Sequence, residues 1–430
     1  MNKIYIYLFI ASILFLQACA EKGSEVKTLQ FWAMGAEGEY IQKLVPEFER
    51  KNPGIKVKVQ MIPWTAAQEK LITAYASDNA PDVFQLGNTW IPQFAALNAI
   101  EDLSAFISLS ESIKKENYYE GVWQTNVLGN KVFGIPWYIE TRLLFYRPDV
   151  LAAVGYNEAP KTWDELIDCS RKIKQYFGKQ EKYPIYIPTN EWVPFIVFGM
   201  QAGSSILKDN DSYGNFSSNE FKTGFEYLMK YYDEKLTPAG ISQVPNIYHA
   251  FKEKYINMYI SGPWNIIEFK KTMVGADSVN WMTAPLPGYK NEYPGLSLAG
   301  GASLVVYKKS KLKKEAWKFI EYLSEPKVQV EFFNYLFDLP SVKSAWEDSS
   351  IKNNLYINAF RTQFENVVPT PKIPEWEQIA FSKVQQYAEM TSKKAMTINR
   401  ALKELDKDVD LILEKRRYIL SKQQVDKNEK

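Results

Sequence analysis

The sequence predicts an α/β protein of two lobes with a ligand cleft between them, on three observations. Short apolar strands alternate with amphipathic helical stretches from Leu29 onward, the pattern of an α/β lobe. The chain has 430 residues, enough for two such lobes at roughly 150 residues per domain. Third, the apolar segment Gly134 to Tyr146 has three polar residues, Glu140, Thr141 and Arg142, set into its middle. A buried strand has no use for unpaired charge in a low dielectric. Side chains at i and i+2 share one face of a strand, so Glu140 and Arg142 are expected to point together into a wet cleft where this strand crosses between lobes.

Leu29 to Trp32 reads as a first strand, and Gly35-Ala36-Glu37-Gly38 as a turn into a helix on which Ile41, Leu44, Val45 and Phe48 recur at helical spacing. Asn52-Pro53-Gly54 stops that helix. Val57, Val59 and Met61 alternate with Lys56, Lys58 and Gln60, a strand with one wet face. A helix over roughly 66–77 and a strand over 81–87 follow. Ligands in such folds sit beyond the carboxyl ends of strands, which nominates Trp32 to Glu37 and Asn88 to Trp90. Past the crossing, Thr162 and Glu165 have capping-box spacing before an amphipathic helix. Residues 254–260 read as a strand running into Ser261-Gly262-Pro263-Trp264, and 303–307 as a strand followed by a helix over about 313–324. Ile398, Leu402, Leu405, Val409 and Ile412 form a helical seam, and residues 421–430 are expected to fray.

The N-terminus carries Lys3, an apolar run from Ile4 to Leu16, and then Leu16-Gln17-Ala18-Cys19. A short apolar core after a basic residue reads as a secretory signal peptide, 1–18, too short for a membrane span. Its end resembles the lipobox of bacterial lipoproteins, which implies cleavage before Cys19, lipidation of that residue and a tether over 19–27; the alternative is an ordinary signal peptide that carries a cysteine. The other cysteine, Cys169, shares a helical face with Leu166, Ile173 and Phe177 and is expected to be packing. Net charge is +2, so no global field argues for nucleic acid. With a single histidine, His249, and no Gly-x-Ser-x-Gly elbow, P-loop or Cys/His cluster, neither catalysis nor a cofactor nor a metal is expected. Most of the 12 Trp, 27 Tyr and 24 Phe must be core, but an excess of Trp in loops is what a sugar-binding cleft needs: pyranose rings pack an apolar face on aromatic rings while their hydroxyls take placed hydrogen bonds.

Several blocks, in order, resemble the extracytoplasmic solute-binding lipoproteins of bacterial ABC importers, in the sugar-binding group that includes maltose-binding proteins. They include Pro81-Asp82-Val83, Phe133-Gly134-Ile135-Pro136-Trp137, Thr141-Arg142 before Tyr146, Pro160 to Leu166, Met258 to Trp264, Pro285-Leu286-Pro287, Gly300-Gly301, Ala316 to Phe319 and Leu339-Pro340-Ser341. The resemblance implies the two-lobe periplasmic-binding-protein fold with discontinuous lobes. One lobe would hold 28–139 and 304–337, the other 140–303 and 338–420, with hinge crossings near 140–144, 298–303 and 337–343 and helices at the C-terminus. It implies a monomer that takes a carbohydrate and presents it to a membrane permease.

Residue by residue, the resemblance carries over Trp264 as the stacking aromatic, Glu140 as a hydroxyl-binding acid on the crossing strand, and Glu37 and Asn88 as polar contacts after strands. Trp192 and Trp376 are looser matches. Gly300 and Gly301 would let backbone approach the ligand or flex. Trp137 and Arg142 complete the candidate ligand set, with Arg142 open to a second role as the ion-pair partner that holds Glu140. Trp163, on a first helical turn, is expected to be structural. Two other readings stay open: a cell-surface glycoside hydrolase, for which Glu140 and Glu37 are the available carboxylate pair, and a binding protein of the same fold for a polyamine, metal ion or glycerol phosphate.

Overall fold

The computed structural model describes residues 26–273 and 280–428, with side chains through residue 422. The expected signal peptide, Cys19 and most of the tether lie outside the described residues.

The first lobe is built on a six-stranded sheet. Strand β1 (Lys27–Met34) feeds helix α1 (Gly35–Lys51), then β2 (Ile55–Ile62), α2 (Trp64–Ala76) and β3 (Val83–Gly87). β1 pairs in parallel with β2 and β3, so its residues are sandwiched between layers: Leu29, Phe31 and Ala33 are fully buried. β2 is the edge, where exposed Lys56 and Lys58 discourage pairing with another chain. α1 starts at Gly35 itself, so the expected turn over 35–38 is instead the helix's first turn, and Glu37 sits at the positive end of the helix dipole.

The crossing segment splits between two sheets. β4 (Ile135–Glu140) belongs to the six-stranded sheet, whereas β5 (Leu143–Tyr146) is the centre of a three-stranded sheet in the second lobe. There β5 pairs antiparallel with β6 (Met258–Ser261) and β7 (Met282–Ala284). Thr141 and Arg142 alone separate the two sheets. The expected strand over 254–260 shrinks to β6, because Lys254 takes a positive φ of 58° as the chain turns out of the preceding short helix.

Two further segments pass between lobes. β8 (Ser297–Leu298) pairs with β11 (Val367–Val368), and after Ala299 the next strand, β9 (Gly300–Val306), lies between β4 and β3 in the first lobe. Helices α7 (Lys313–Leu323) and α8 (Pro326–Leu336) cover that sheet, and β10 (Leu339–Pro340) pairs with β4. The crossings are stitched together: Thr141 Oγ1 donates to the Leu298 carbonyl at 2.8 Å, Ser297 Oγ to the Arg142 carbonyl at 3.2 Å, and Ser341 Oγ to the Pro136 carbonyl at 2.7 Å. Beneath them one apolar cluster runs from Ile139 and Leu339 to Phe145, Phe269 and Phe364.

The second lobe holds the largest core. Its helices α3 (Trp163–Phe177), α4 (Val193–Gln201), α5 (Asn219–Asp233) and α6 (Asn265–Thr272) follow their sequence signals closely. Thr162 Oγ1 accepts the Glu165 amide at 3.1 Å, while the Glu165 carboxylate takes the Lys161 amide rather than that of Thr162. Cys169 is fully buried in this core, which pushes its thiol up to about 12. Trp163 stacks on Tyr227 at 4.5 Å between ring centres. The chain ends in a π-helical stretch (Gln378–Val384) continuing into α9 (Gln385–Ser392), then α10 (Ile398–Ile412) and α11 (Glu414–Asn428). The tail expected to fray is helical to Asn428.

Candidate functional site

Between the lobes lies a cleft of about 460 Å³, within the usual size of a small-molecule site. The first lobe contributes Glu37, Trp64, Asn88, Trp90 and Tyr138; the second contributes Glu191, Trp192, Trp264, Glu377 and Phe381. Glu140, Arg142, Ala299 to Gly301 and Asp338 form its floor. Each wall is therefore a set of strand ends and helix starts, where backbone direction changes and side chains project outward.

Glu37 is the best-held of the acids. Its Oε1 accepts from the Tyr138 hydroxyl at 2.7 Å, from Trp64 Nε1 at 3.3 Å and from Gln85 Nε2 at 3.4 Å. Gln85 is fixed in turn by accepting the Met34 amide at 2.7 Å. Burial raises the Glu37 carboxyl above the usual range, and these donors oppose the rise. Asp338 is pushed well above that range by burial and by the charges of Glu37 and Glu140; it follows Phe337, whose positive φ of 62° at the end of α8 turns the chain into the cleft. Glu140 is raised by burial, with the Arg142 charge opposing. Arg142 is the one cationic side chain lining the cleft among the described residues, against five carboxylates.

Gly301 has φ +114°, and a Cβ there would lie 2.2 Å from the Tyr138 carbonyl oxygen. Only glycine permits β9 to approach β4 so closely at the floor. Asn88 is buried, its Nδ2 donating to the Ala299 carbonyl at 2.8 Å, so it ties the loop after β3 to a crossing as well as lining the cleft.

The aromatic walls differ in kind. Trp264, at the start of α6, is 39% exposed. Trp192 precedes α4 and is buried, packed near right angles on Trp376 and against Phe381. Trp64 and Trp90 meet edge to face at 5.8 Å.

Of the ten candidate ligand residues, Glu37, Asn88, Glu140, Arg142, Trp192, Trp264, Gly300 and Gly301 come together in this cleft. Trp137 does not reach it. It is buried beneath the sheet, stacked on Phe332 at 4.8 Å, because strand alternation that points Tyr138 and Glu140 at the cleft must point Trp137 away. Trp376 does not reach it either: it is fully buried in the second-lobe core with Ile373, Ile379 and Ala380. Sequence reasoning missed Tyr138, Trp64, Asp338, Glu377 and Phe381. Tyr138 was marked by its parity with Glu140, and Trp64 by its place just past β2. Asp338, Glu377 and Phe381 carried no local signal.

The chain belongs to the bacterial extracellular solute-binding proteins. That family's sequence profile matches residues 33–330. Among solved structures, the sugar-binding protein MalE of Xanthomonas citri is similar at 42% identity and a TM-score of 0.88, over 92% of this chain and 99% of that one. A Thermotoga lettingae solute-binding protein bound to α-D-tagatose has a TM-score of 0.74 at 25% identity, over 90% and 100%. The diacetylchitobiose-binding protein DasA of Streptomyces coelicolor is 26% identical, over 82% of each chain. The two-lobe fold of this solute-binding protein is thus that of MalE. Among its described residues, no helix is long and apolar enough to cross a membrane, and no group of three or more His, Cys, Asp or Glu could hold a metal ion.

Proposed function

We propose that this solute-binding protein captures a mono- or oligosaccharide between its lobes and delivers it, unaltered, to the permease of an ABC importer. One observation carries the reading: four tryptophans and five carboxylates converge on a single inter-lobe cleft with one guanidinium. Indole faces suit the C–H faces of sugar rings, and carboxylates accept hydroxyl hydrogens in charge-assisted bonds. The single cation disfavours a phosphorylated ligand, and the aromatic walls disfavour a bare metal ion. The names of relatives agree, since they bind diacetylchitobiose, galactooligosaccharide and maltodextrin.

In this reading the crossings at 140–144, 298–303 and 337–343 act as the hinge, and the lobes shut about it with Glu377 against Thr89 and Trp90 of the opposite wall. Cys19 would anchor the mature monomer to the membrane through lipid.

The test is a thermal-shift panel of maltotriose, N,N′-diacetylchitobiose, galactobiose and D-tagatose. A ligand that binds only the folded form at 100 times its Kd stabilises by about 2.7 kcal/mol. Chromatography of the released sugar checks that it is intact. A panel without any shift rejects the sugar reading, and new reducing ends would favour the hydrolase, for which the cleft does bring Glu37 and Glu140 together.

A further inference from the structure

Two arginines on the crossing segment are held in opposite ways. Arg147 is buried and pinned: Nη1 donates to the Phe251 and Lys252 carbonyls at 2.8 and 3.0 Å, and Nε and Nη2 donate to Asp149 at 3.1 and 2.9 Å. Arg142 is loose. It meets Glu140 Oε1 only at 3.5 Å and Glu191 Oε2 only at 3.7 Å, beyond the ~2.7–2.9 Å of a strong charge-assisted bond.

Its guanidinium carbon lies instead 4.5 Å from the Trp264 ring centre, a cation–π contact. The indole is fixed on its other account by Gly262, where a Cβ would fall 1.9 Å from Cζ3 of the ring. The strand end thus sets the indole, and Arg142 covers part of the surface it turns to the cleft. Glu140 lies at the end of a first-lobe strand and Glu191 just before a second-lobe helix. Together they offer the guanidinium a second resting place close by.

We propose that Arg142 is a movable cover on Trp264: a sugar ring that stacks on the indole displaces the guanidinium, which closes onto Glu140 and Glu191. Arg142 then acts as a positioning residue that tunes affinity and association rate, rather than as a hydroxyl ligand. It sets a threshold, favouring sugars whose rings gain more on the indole than the cation loses. The proposal rests on the sugar reading above and sharpens it.

The experiment compares wild type, Arg142→Ala and Arg142→Lys by stopped-flow binding of maltotriose, N,N′-diacetylchitobiose and galactobiose. Tryptophan emission without sugar is recorded for each, and again in a Trp264→Phe background. The cover predicts that Arg142→Ala alters emission only where Trp264 is present. It also predicts that Arg142→Ala raises the association rate constant by about two- to fivefold, the factor an exposed cation–π contact is worth, with dissociation changed by less than about twofold. Arg142→Lys, which keeps the charge and loses the planar stack, should fall between. Binding in which Arg142→Ala leaves association unchanged or speeds dissociation overturns the proposal alone. If none of the three sugars binds wild type, the sugar reading fails and the proposal falls with it.

Discussion

The Tyr138 hydroxyl donates to Glu37 Oε1 at 2.7 Å, bridging the crossing strand and the first turn of α1 at the cleft floor. That bond marks where three carboxyls, Glu37, Glu140 and Asp338, meet with a single nearby cation. A site for hydroxyl-rich ligands needs acceptors, and placing acceptors this close sets their charges against one another.

The first prediction concerns pH. All three carboxyls are raised by burial, Asp338 also by the charges of Glu37 and Glu140, and Glu140 also by those of Glu191 and Glu37. Ordinary carboxyl values lie at roughly 4 in the unfolded chain. A carboxyl whose value is higher when folded binds its proton more tightly in the native state. Its contribution to stability is full below roughly pH 4 and is lost as pH rises through the raised native value. Asp338→Asn removes the most strongly raised of the three. At pH 7 the variant should melt about 1 °C higher than wild type, the shift expected for about 1 kcal/mol when unfolding entropy is about 2 cal/mol/K per residue over roughly 400 residues. The gap should close by pH 4. Thermal melts of both proteins from pH 4 to 8 check it, and a variant that melts lower at pH 7 sinks the repulsion argument.

The second prediction concerns Trp264. Its ring is 39% exposed and lines the cleft, so Trp264→Ala should change folding stability little, within about 0.5 kcal/mol of the usual surface range. Loss of the stacking surface should weaken sugar binding by about 10- to 100-fold, equivalent to about 1.4–2.8 kcal/mol. Calorimetric titration beside a denaturant melt separates the two effects; unchanged affinity would remove Trp264 from the site.

Much of this architecture was legible in the chain, and the gaps have physical causes. The alternation of β1, α1, β2, α2 and β3 was readable because each element buries a periodic face. Glu140 and Arg142 were readable because charge inside an apolar run needs water or a partner. Trp137 misled because an aromatic beside a polar trio looks like a ligand contact, although parity with Glu140 sends it to the opposite face. Trp376 misled because nothing local separates a core indole from a cleft indole in the run before a π-helix. Asp338 and Glu377 were invisible because they reach the cleft only through long-range folding: one by the left-handed turn at Phe337, the other by packing beside Thr89 and Trp90 of the opposite lobe, which lower a carboxyl that burial raises.

The third prediction tests the floor. Gly301→Ala must force either a Cβ into the Tyr138 carbonyl, 2.2 Å away, or β9 out of register with β4. The φ of +114° is strained for any L side chain. The cost should exceed about 1–3 kcal/mol, seen as a lower urea midpoint. Gly300→Ala meets mainly the flexible Glu140 side chain at 2.7 Å and should cost less while still disturbing ligand binding. Equal costs would show that backbone geometry is not what selects glycine at 301.

The fourth prediction separates the two indoles that meet at 5.6 Å and 83°, Trp192 and Trp376. Trp376 is fully buried, so Trp376→Ala should destabilise by about 3–5 kcal/mol, as large aromatic-to-alanine changes in cores do. Its Nε1 has no hydrogen-bond partner among the described residues, so Trp376→Phe discards a buried donor that returned nothing there. That variant should lose less, under about 1.5 kcal/mol for a change that keeps most of the ring volume. Trp192 lines the cleft, so Trp192→Phe should weaken sugar binding more than it lowers the melting temperature. Urea unfolding and sugar titration of the three variants sort them, and a Trp376→Phe protein that folds normally yet fails to bind sugar would return that residue to the site.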